Sequence, residues 1–211
     1  MQAFRGALAA AALFYTPKLS AQAIEFESNG LKYQTLTKNG VTVMFTHLPG
    51  VVREYSVLQV AVSNGSTISW TVKPEDFNYR FKEGVTKEAT PPKRVVEKLL
   101  ERAGRQDAIR LVTAYEAGIY GMSRFRSTSG YEQRRQQALA EMISPRLKAA
   151  AAASAVVFVT SKLSPGQSTD GAIFYPNEGK PLGPGKLIVR AAGETFEFES
   201  LGNLPDPADG H

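Results

Sequence analysis

Residues 77–103 read FNYRFKEGVTKEATPPKRVVEKLLERA, and the change of hydrophobic period within this stretch decides the fold. Its first part alternates aromatic and polar residues, the period-two pattern of a half-buried strand, at Phe77, Tyr79 and Phe81. After two prolines, apolar residues recur at helical spacing, at Val95, Val96, Leu99, Leu100 and Ala103, and Gly104 ends the stripe. The chain therefore changes from strands to helices near residue 91.

The part before this change is predicted to be β-rich. Residues 31–37 and 41–46 flank Asn39-Gly40, a dipeptide typical of tight hairpin turns. Three further strands are predicted, at 56–63, 68–72 and 77–81. Between the first two of these, Asn64-Gly65-Ser66 fits a glycosylation sequon, but its composition is that expected of a turn. We expect the turn.

Three more helices are predicted after the first. The second follows an apolar stripe made of Ala108, Leu111, Val112, Tyr115, Ile119 and Met122. The third begins at Ser129, with Glu132 completing a capping box, and the fourth begins at Ser144-Pro145. The apolar run 149–159 is too short to span a hydrocarbon core of about 30 Å, so we expect it to pack in the protein core.

The β-pattern returns after residue 163, with strands predicted at 171–175, 186–191 and 195–199. The order of strands, then helices, then strands predicts an α+β fold. Its sheet part is an antiparallel β-sandwich in which the last three strands pair with the first five, and its helices form an insertion at about 91–160. Whether the insertion packs on a sheet or projects from it stays open.

Several turns carry a resemblance to a known class of domain. A strand ends at Asn64 to Ser66, and later Leu163 to Gly166 leads into the strand and proline of Gly171 to Pro176. In these features residues 56–82 and 163–199 resemble the immunoglobulin-like accessory domains of exported bacterial proteins. The resemblance implies an antiparallel immunoglobulin-like β-sandwich and an exported protein, and it implies no active site. The helical insertion departs from the usual pattern of that family.

The N-terminus predicts export. Arg5 is followed by the apolar run GALAAAALFY at 6–15, and Ala21-Gln22-Ala23 forms a cleavage site. An uncleaved membrane anchor is the alternative, but the apolar run is too short to span a bilayer. We therefore expect a signal peptide at 1–23, a single domain at 24–203, a disordered tail at 204–211 and no transmembrane span after cleavage. The mature protein would be periplasmic or extracellular.

The composition disfavours several chemistries. The chain has no cysteine and two histidines, His47 and the terminal His211, so we expect no metal site and no cofactor. His47 is expected to be a structural residue at a surface or a sheet edge. No Walker motif, dinucleotide glycine loop or Gly-x-Ser-x-Gly elbow is present. Carboxylates are plentiful, so a carboxylate-dependent hydrolase of envelope polysaccharide is the alternative function. The adjacent residues Glu75 and Asp76 are expected to lie in a turn and to bond to the backbone there.

Positive charge concentrates in the helical segment. Residues 91–148 carry a net charge of +6, whereas the whole chain has +5. Basic residues of this kind commonly lie on helix faces that are exposed to solvent. One cluster, however, brackets a short polar loop, and we predict that it binds an anion or a partner: Arg124, Arg126, Arg134 and Arg135. The sequence thus favours a non-enzymatic binding or scaffold module using this basic insertion. Its partner would be another envelope protein or an anionic envelope surface, and not nucleic acid.

Overall fold

A computed structural model describes residues 22–52, 54–101, 105–122, 125, 127–140, 145–178 and 181–200. The strands are β1 (Ile24–Ser28), β2 (Leu31–Lys38), β3 (Val41–Val52), β4 (Tyr55–Asn64), β5 (Trp70–Val72), β6 (Phe77–Phe81), β7 (Thr86–Glu88), β8 (Ser161–Leu163), β9 (Ser168–Pro176), β10 (Gly185–Ala191) and β11 (Glu194–Ser200). The helices are α1 (Pro92–Glu101), α2 (Arg105–Gly121), α3 (Tyr131–Ala140) and α4 (Pro145–Val156). The predicted signal peptide, apart from its last two residues, and the predicted tail lie outside the described residues.

The strands form three antiparallel sheets, and with the helices they confirm the α+β class. One sheet has the order β1-β2-β3-β4-β9, the second β11-β10-β6-β7, and the third β5-β8. Each sheet joins strands from before and after the helical segment, through β4 with β9, β6 with β10, and β5 with β8. The prediction that the strand around residues 171–175 shares a sheet with strands of the first half is confirmed.

The tight turns explain how consecutive strands pair. The predicted turn at Asn39-Gly40 is confirmed, with φ values of 46° and 79° that suit a two-residue hairpin loop. Asn29-Gly30 has the same left-handed geometry and joins β1 to β2, a hairpin that the prediction missed. The short strands β7 and β8 were also missed, because three residues carry too little periodicity to be recognised.

A large apolar core lies between the five-stranded and four-stranded sheets. The predicted single face of Phe77, Tyr79 and Phe81 is confirmed, because Phe77 and Tyr79 belong to this core and Phe81 packs against it. Residues of β3, β4 and β9 meet residues of β10 and β11 here. The aromatic pair Phe45 and Phe198 joins the two sheets directly, with ring centres 5.1 Å apart.

The helices pack on the other face of the five-stranded sheet. Leu111 and Tyr115 of α2 and Ala153 of α4 share a second core with Val57 of β4 and Phe174 of β9. Nine of the ten residues of β4 are buried as a result, since sheet and helices cover opposite faces of the strand. The prediction that the run 149–159 packs in the core is confirmed for part of the run: Ala152, Ala153 and the residues from Ala155 to Phe158 are buried, and the other described side chains are partly exposed. Within the described residues, no helix has the length and apolarity that a membrane span requires.

The start of α3 differs from the prediction. The helix begins at Tyr131, and the Ser129 hydroxyl donates a hydrogen bond to Ser168 O instead of capping the helix. Gln133 Oε1 accepts from the N–H of Gly130 at 3.1 Å, so the capping contact lies one residue further along the chain. Gly130 is required here, because a Cβ would lie 1.6 Å from Asp170 Oδ1.

Two polar turns behave as expected. Asn64 is fully buried, and its amide donates to Ile68 O and Leu163 O, so the sequon residue serves the turn. Asp76 accepts a hydrogen bond from Lys73 N at 2.9 Å within a short 3-10 turn at Pro74–Asp76. The side chains of Asn64 and Asp76 are therefore structural.

Candidate functional site

An open groove lies beside α1, where the helical layer meets the ends of β4 and β9. Its larger part has a volume of about 600 Å³ and is lined by Glu54, Lys87, Lys98, Pro176, Asn177 and Glu178. An adjoining part of about 430 Å³ is lined by Tyr55, Thr90, Arg94, Glu97, Lys98 and Pro176. Because the two parts share Lys98 and Pro176, we treat them as one site, the α1 groove.

Lys87 of β7 is held at one wall of the α1 groove by uncharged groups. Its Nζ donates to Pro176 O at 2.7 Å and to Asn177 Oδ1 at 2.6 Å. The same Nζ lies 5.3 Å from the centre of the Phe81 ring. Among the described residues, no carboxylate forms an ion pair with Lys87. The wall therefore carries a positive charge that is held by uncharged groups, with Glu54 and Glu178 elsewhere in the lining.

The other wall is the basic face of α1. Lys98 forms an ion pair with Glu54, with 2.7 Å between Nζ and Oε2. This contact links α1 to Glu54, the residue directly before β4 and 44 positions away in the chain. Arg94, four residues before Lys98, is exposed and has no ion pair within the described part of the chain.

Tyr55 of β4 contributes an aromatic surface to the floor of the groove. It is 7% exposed, and its ring packs edge-on against Phe174 with centres 5.8 Å apart. Burial raises the pKa of Tyr55, and the nearby charges of Lys98, Glu54 and Arg94 add smaller, opposing effects. The phenol therefore stays neutral at physiological pH.

The lining residues suit binding better than chemistry. No serine, histidine or cysteine lines the described groove. Arg94 offers a planar fork of donors, which matches phosphate and carboxylate groups. Lys87 adds a point charge, and Tyr55 and Pro176 add apolar surface. The groove can thus hold an anionic group next to an apolar or sugar-like body.

The predicted arginine site divides into parts with different surroundings. Arg134 is half-buried, and its guanidinium donates to Ala155 O at 3.0 Å, Asp170 O at 2.9 Å and Ser129 O at 3.3 Å. Burial lowers the pKa of Arg134, while Tyr115 and Asp170 partly offset this effect. In this structure the donors of Arg134 fasten α3 to α4 and β9.

Arg135 points to neighbouring carboxylates. Its Nε lies 3.6 Å from Glu116 Oε1, and its Nη1 lies 4.0 Å from Glu132 Oε1. Arg124 and Arg126 lie outside the described residues, so the common contact region of the four arginines stays a prediction.

A buried carboxylate lies at the centre of this region. Asp170 of β9 is 4% exposed, accepts a short hydrogen bond from the Tyr115 hydroxyl and receives the N–H of Tyr131 at 3.3 Å. Its position at the first turn of α3 is favourable for negative charge. Burial, followed by the charge of Asp170, raises the pKa of Tyr115 well above its ordinary value. We call Tyr115, Asp170, Tyr131 and Arg134 the α3 junction.

His47 and Ser200 form the one serine–histidine contact within the described residues. His47 Nε2 lies 2.7 Å from Ser200 Oγ, and burial lowers the pKa of His47 to about 4. The other ring nitrogen, Nδ1, is buried and has no hydrogen-bond partner, so no carboxylate orients the ring as in a catalytic triad. His47 was expected at a surface or a sheet edge; it instead bridges β3 and β11, the contact of a structural residue.

The described residues contain no group of three or more histidine, cysteine or carboxylate side chains placed to hold a metal ion.

Comparisons with family models, with curated proteins and with solved structures give no match to this chain. The candidate site therefore stands on its own geometry. Part of the site could have been found from the sequence, because Arg94 and Lys98 are one helical turn apart near a helix start that is marked by proline. The sequence contained no signal that would bring Lys87, Tyr55 and Asn177 to the same place, since these residues are far apart in the chain.

Proposed function

We propose that this chain is an exported, non-enzymatic binding or scaffold protein of the cell envelope, built on an immunoglobulin-like β-sandwich. Its helical segment contacts an anionic envelope surface or an acidic region of another envelope protein. The observation that carries this proposal is the α1 groove, where Lys87 and Arg94 present positive charge without a carboxylate partner in the described structure.

The surrounding residues support binding of a partner at this place. Lys98 is paired with Glu54, so its charge is largely balanced, whereas the Lys87 ammonium contacts only uncharged partners. Arg94 lies at the rim, where it can reach a ligand outside the groove. Basic residues near an anionic lipid surface contribute about 1 kcal/mol each to association.

The test compares two neighbouring cations of α1. Mature protein is mixed with vesicles of phosphatidylglycerol and phosphatidylcholine, or of phosphatidylcholine alone, and the bound fraction is measured by co-sedimentation. We expect Arg94→Gln to weaken binding to the anionic vesicles about fivefold at low salt. The matched control is Lys93→Gln, which removes the same charge from an exposed residue of the same helix that does not line the groove.

The outcomes separate the possibilities. Equal losses in the two variants would mean that binding follows net charge and that the groove has no role. A protein partner would appear as an acidic envelope protein captured by the wild-type chain and by Lys93→Gln but not by Arg94→Gln. Absence of vesicle binding together with absence of such a protein would refute the proposed function.

The hydrolase alternative rests on carboxylates at the same groove. Glu54, Glu97 and Glu178 all line it, and paired carboxylates are the groups that glycosidases use. Release of reducing ends from purified envelope polysaccharide, lost in Glu97→Gln and Glu178→Gln, would favour this function. No release by the wild-type chain would exclude it for that polymer.

A further inference from the structure

Among the described residues, strand β1 leaves one edge of the five-stranded sheet open. In the described part of the chain, β1 pairs with β2 only. Four of its five residues are exposed, with Ile24 at 66% and Phe26 at 37%. An exposed strand edge presents unpaired N–H and C=O groups to which another chain can add a strand.

The opposite edge of the same sheet is closed by the protein itself. Alternate carbonyls of β9 accept hydrogen bonds from other parts of the protein. The donors belong to the segment before α3 for residue 168, to α3 for residue 170, to the segment after α4 for residue 172 and to the segment before α1 for residue 174. The edge strand β11 of the four-stranded sheet is also covered, because Gln34 and Lys38 of β2 donate hydrogen bonds to Glu199 O and Thr195 O. No comparable contact covers the outer edge of β1 within the described residues, so the two edges of the sheet differ.

The hairpin register fixes which groups face outward. Ser28 and Leu31 flank the two-residue turn at Asn29-Gly30, so they form a hydrogen-bonded pair. Pairs of this kind alternate along the ladder, and the next one joins Phe26 to Tyr33. The N–H and C=O groups of Glu25 and Glu27 consequently point to the open edge.

The side chains beside this edge have opposite character on the two faces. Ile24 and Phe26 lie on the face toward the helices, where Phe26 stacks on the Tyr33 ring with centres 5.1 Å apart. Glu25 and Glu27 lie on the other face. An added strand that alternates apolar and basic residues would match both faces at once.

A second copy of this chain fits poorly at the same edge. Antiparallel pairing of two β1 strands would bring Glu25 and Glu27 of one copy next to those of the other, and like charges across a strand pair are destabilising. Charge complementarity therefore selects a different chain with lysine or arginine at alternate positions.

We propose that the open edge of β1 binds an extended segment of a partner protein as an added β-strand, with apolar residues over Ile24 and Phe26 and basic residues beside Glu25 and Glu27. The main-chain hydrogen bonds of Glu25 and Glu27 supply affinity, and the side chains of β1 supply selectivity. This surface is distinct from the α1 groove, and the proposal does not depend on the groove.

The probe is a blocked heptapeptide of alternating lysine and valine, titrated into mature protein. We expect it to bind and to slow hydrogen exchange at the amides of Glu25 and Glu27. Glu27→Pro removes an outward N–H while leaving the ladder to β2 intact, because proline is tolerated on edge strands. This variant should lose at least tenfold in affinity. Glu27→Gln, which keeps the N–H, is the matched control and should lose severalfold, with the loss shrinking at high salt.

A second measurement guards against misfolding of the proline variant. The same peptide with N-methyl groups on its edge-facing amides should fail to bind the wild-type chain. Equal binding of the methylated peptide, or equal binding to Glu27→Pro with the Phe26 amide still protected, would overturn the proposal. So would a dimer of the mature protein that Glu27→Pro dissociates, because a second copy would then be the occupant.

Discussion

The α3 junction and the α1 groove both contain basic residues of the helical segment, but they use the charge differently. At the junction, Arg134 donates to three backbone carbonyls and lies beside the buried Asp170. At the groove, Arg94 is exposed and has no ion pair within the described residues, although it belongs to the same basic helical segment as Arg134. Positive charge in a sequence therefore does not reveal whether a side chain stabilises the fold or remains available to a partner.

The difference follows from what surrounds each guanidinium. Around Arg134, helix ends and the edge of β9 present carbonyl groups that need donors, and an unsatisfied buried group is costly. Around Arg94, the groove presents solvent. If this distinction is correct, substitutions at the junction should change stability, and substitutions at the groove should change binding alone.

The largest effect should come from the carboxylate of the junction. Asp170→Ala leaves the buried Tyr115 hydroxyl and the N–H of Tyr131 without their acceptor, so we expect a loss of about 3 kcal/mol in the free energy of unfolding. Urea denaturation followed by circular dichroism measures it. Asp170→Asn keeps an acceptor for Tyr115 and should lose about half as much. A loss below about 1 kcal/mol in the alanine variant would mean that the junction is not a stabilising contact.

The second effect concerns the arginine of the same region. Arg134→Ala removes the donors to Ala155 O, Asp170 O and Ser129 O, and it should cost about 2 kcal/mol. Arg134→Lys keeps the charge but lacks the planar fork, so it should recover only part of the loss. Full recovery with lysine would show that charge, and not the hydrogen-bond geometry, matters at this position.

The third effect concerns the contact between His47 and Ser200, which belongs to neither region and is tested by the pH dependence of stability. The pKa of His47 is lowered from an ordinary 6.5 to about 4, so the unfolded chain binds a proton more readily than the folded one. Stability from this group is complete above about pH 6.5 and falls as the pH drops toward 4. Because the ring is only partly enclosed, we expect a loss of about 1 to 2 kcal/mol at pH 5.

Denaturation at pH 7, 6 and 5 tests the histidine directly. His47→Gln should remove most of the slope in this range, while Arg94→Ala should keep it. An unchanged slope in His47→Gln would assign the pH dependence to other groups.

The smallest effect on stability should come from the groove. Arg94→Ala should change the free energy of unfolding by less than about 0.5 kcal/mol, because the side chain is exposed and has no ion pair in the described structure. Its circular dichroism spectrum should match that of the wild-type chain. A loss similar to that of Arg134→Ala would erase the distinction between the two regions.

Much of the fold was predictable from local patterns. β6 was predicted with its observed bounds, and the turn at Asn39-Gly40 follows from two residues that accept positive φ. The helix starts at α1 and α4 were marked by proline. The start of α3 was misplaced, because its first turn depends on Asp170 in a strand 39 positions later in the chain as well as on the local contact between Gln133 and Gly130.

The candidate site was less predictable. The sequence pointed to four arginines around one loop, and the structure shows Arg134 and Arg135 engaged with carbonyls and carboxylates of the protein. The α1 groove depends on Lys87, Tyr55 and Asn177, which come from three different strands or strand ends. Sequence periodicity describes one element at a time, so it could not show that these residues meet.

The sequence by itself determined the order of strands and helices, the position of a hairpin turn and the division into β-rich and basic helical parts. These features depend on residues that are close together in the chain. Steric limits on φ decide where a tight turn can form, and the spacing of apolar residues distinguishes a strand from a helix. Only the tertiary structure decided that the helices cover one face of the five-stranded sheet and that, within the part of the chain that the structure describes, β9 is closed while β1 is open. It also decided which cations satisfy buried carbonyls. Those outcomes depend on desolvation and pairing between residues far apart in the chain, which become defined only when the sheets and helices pack.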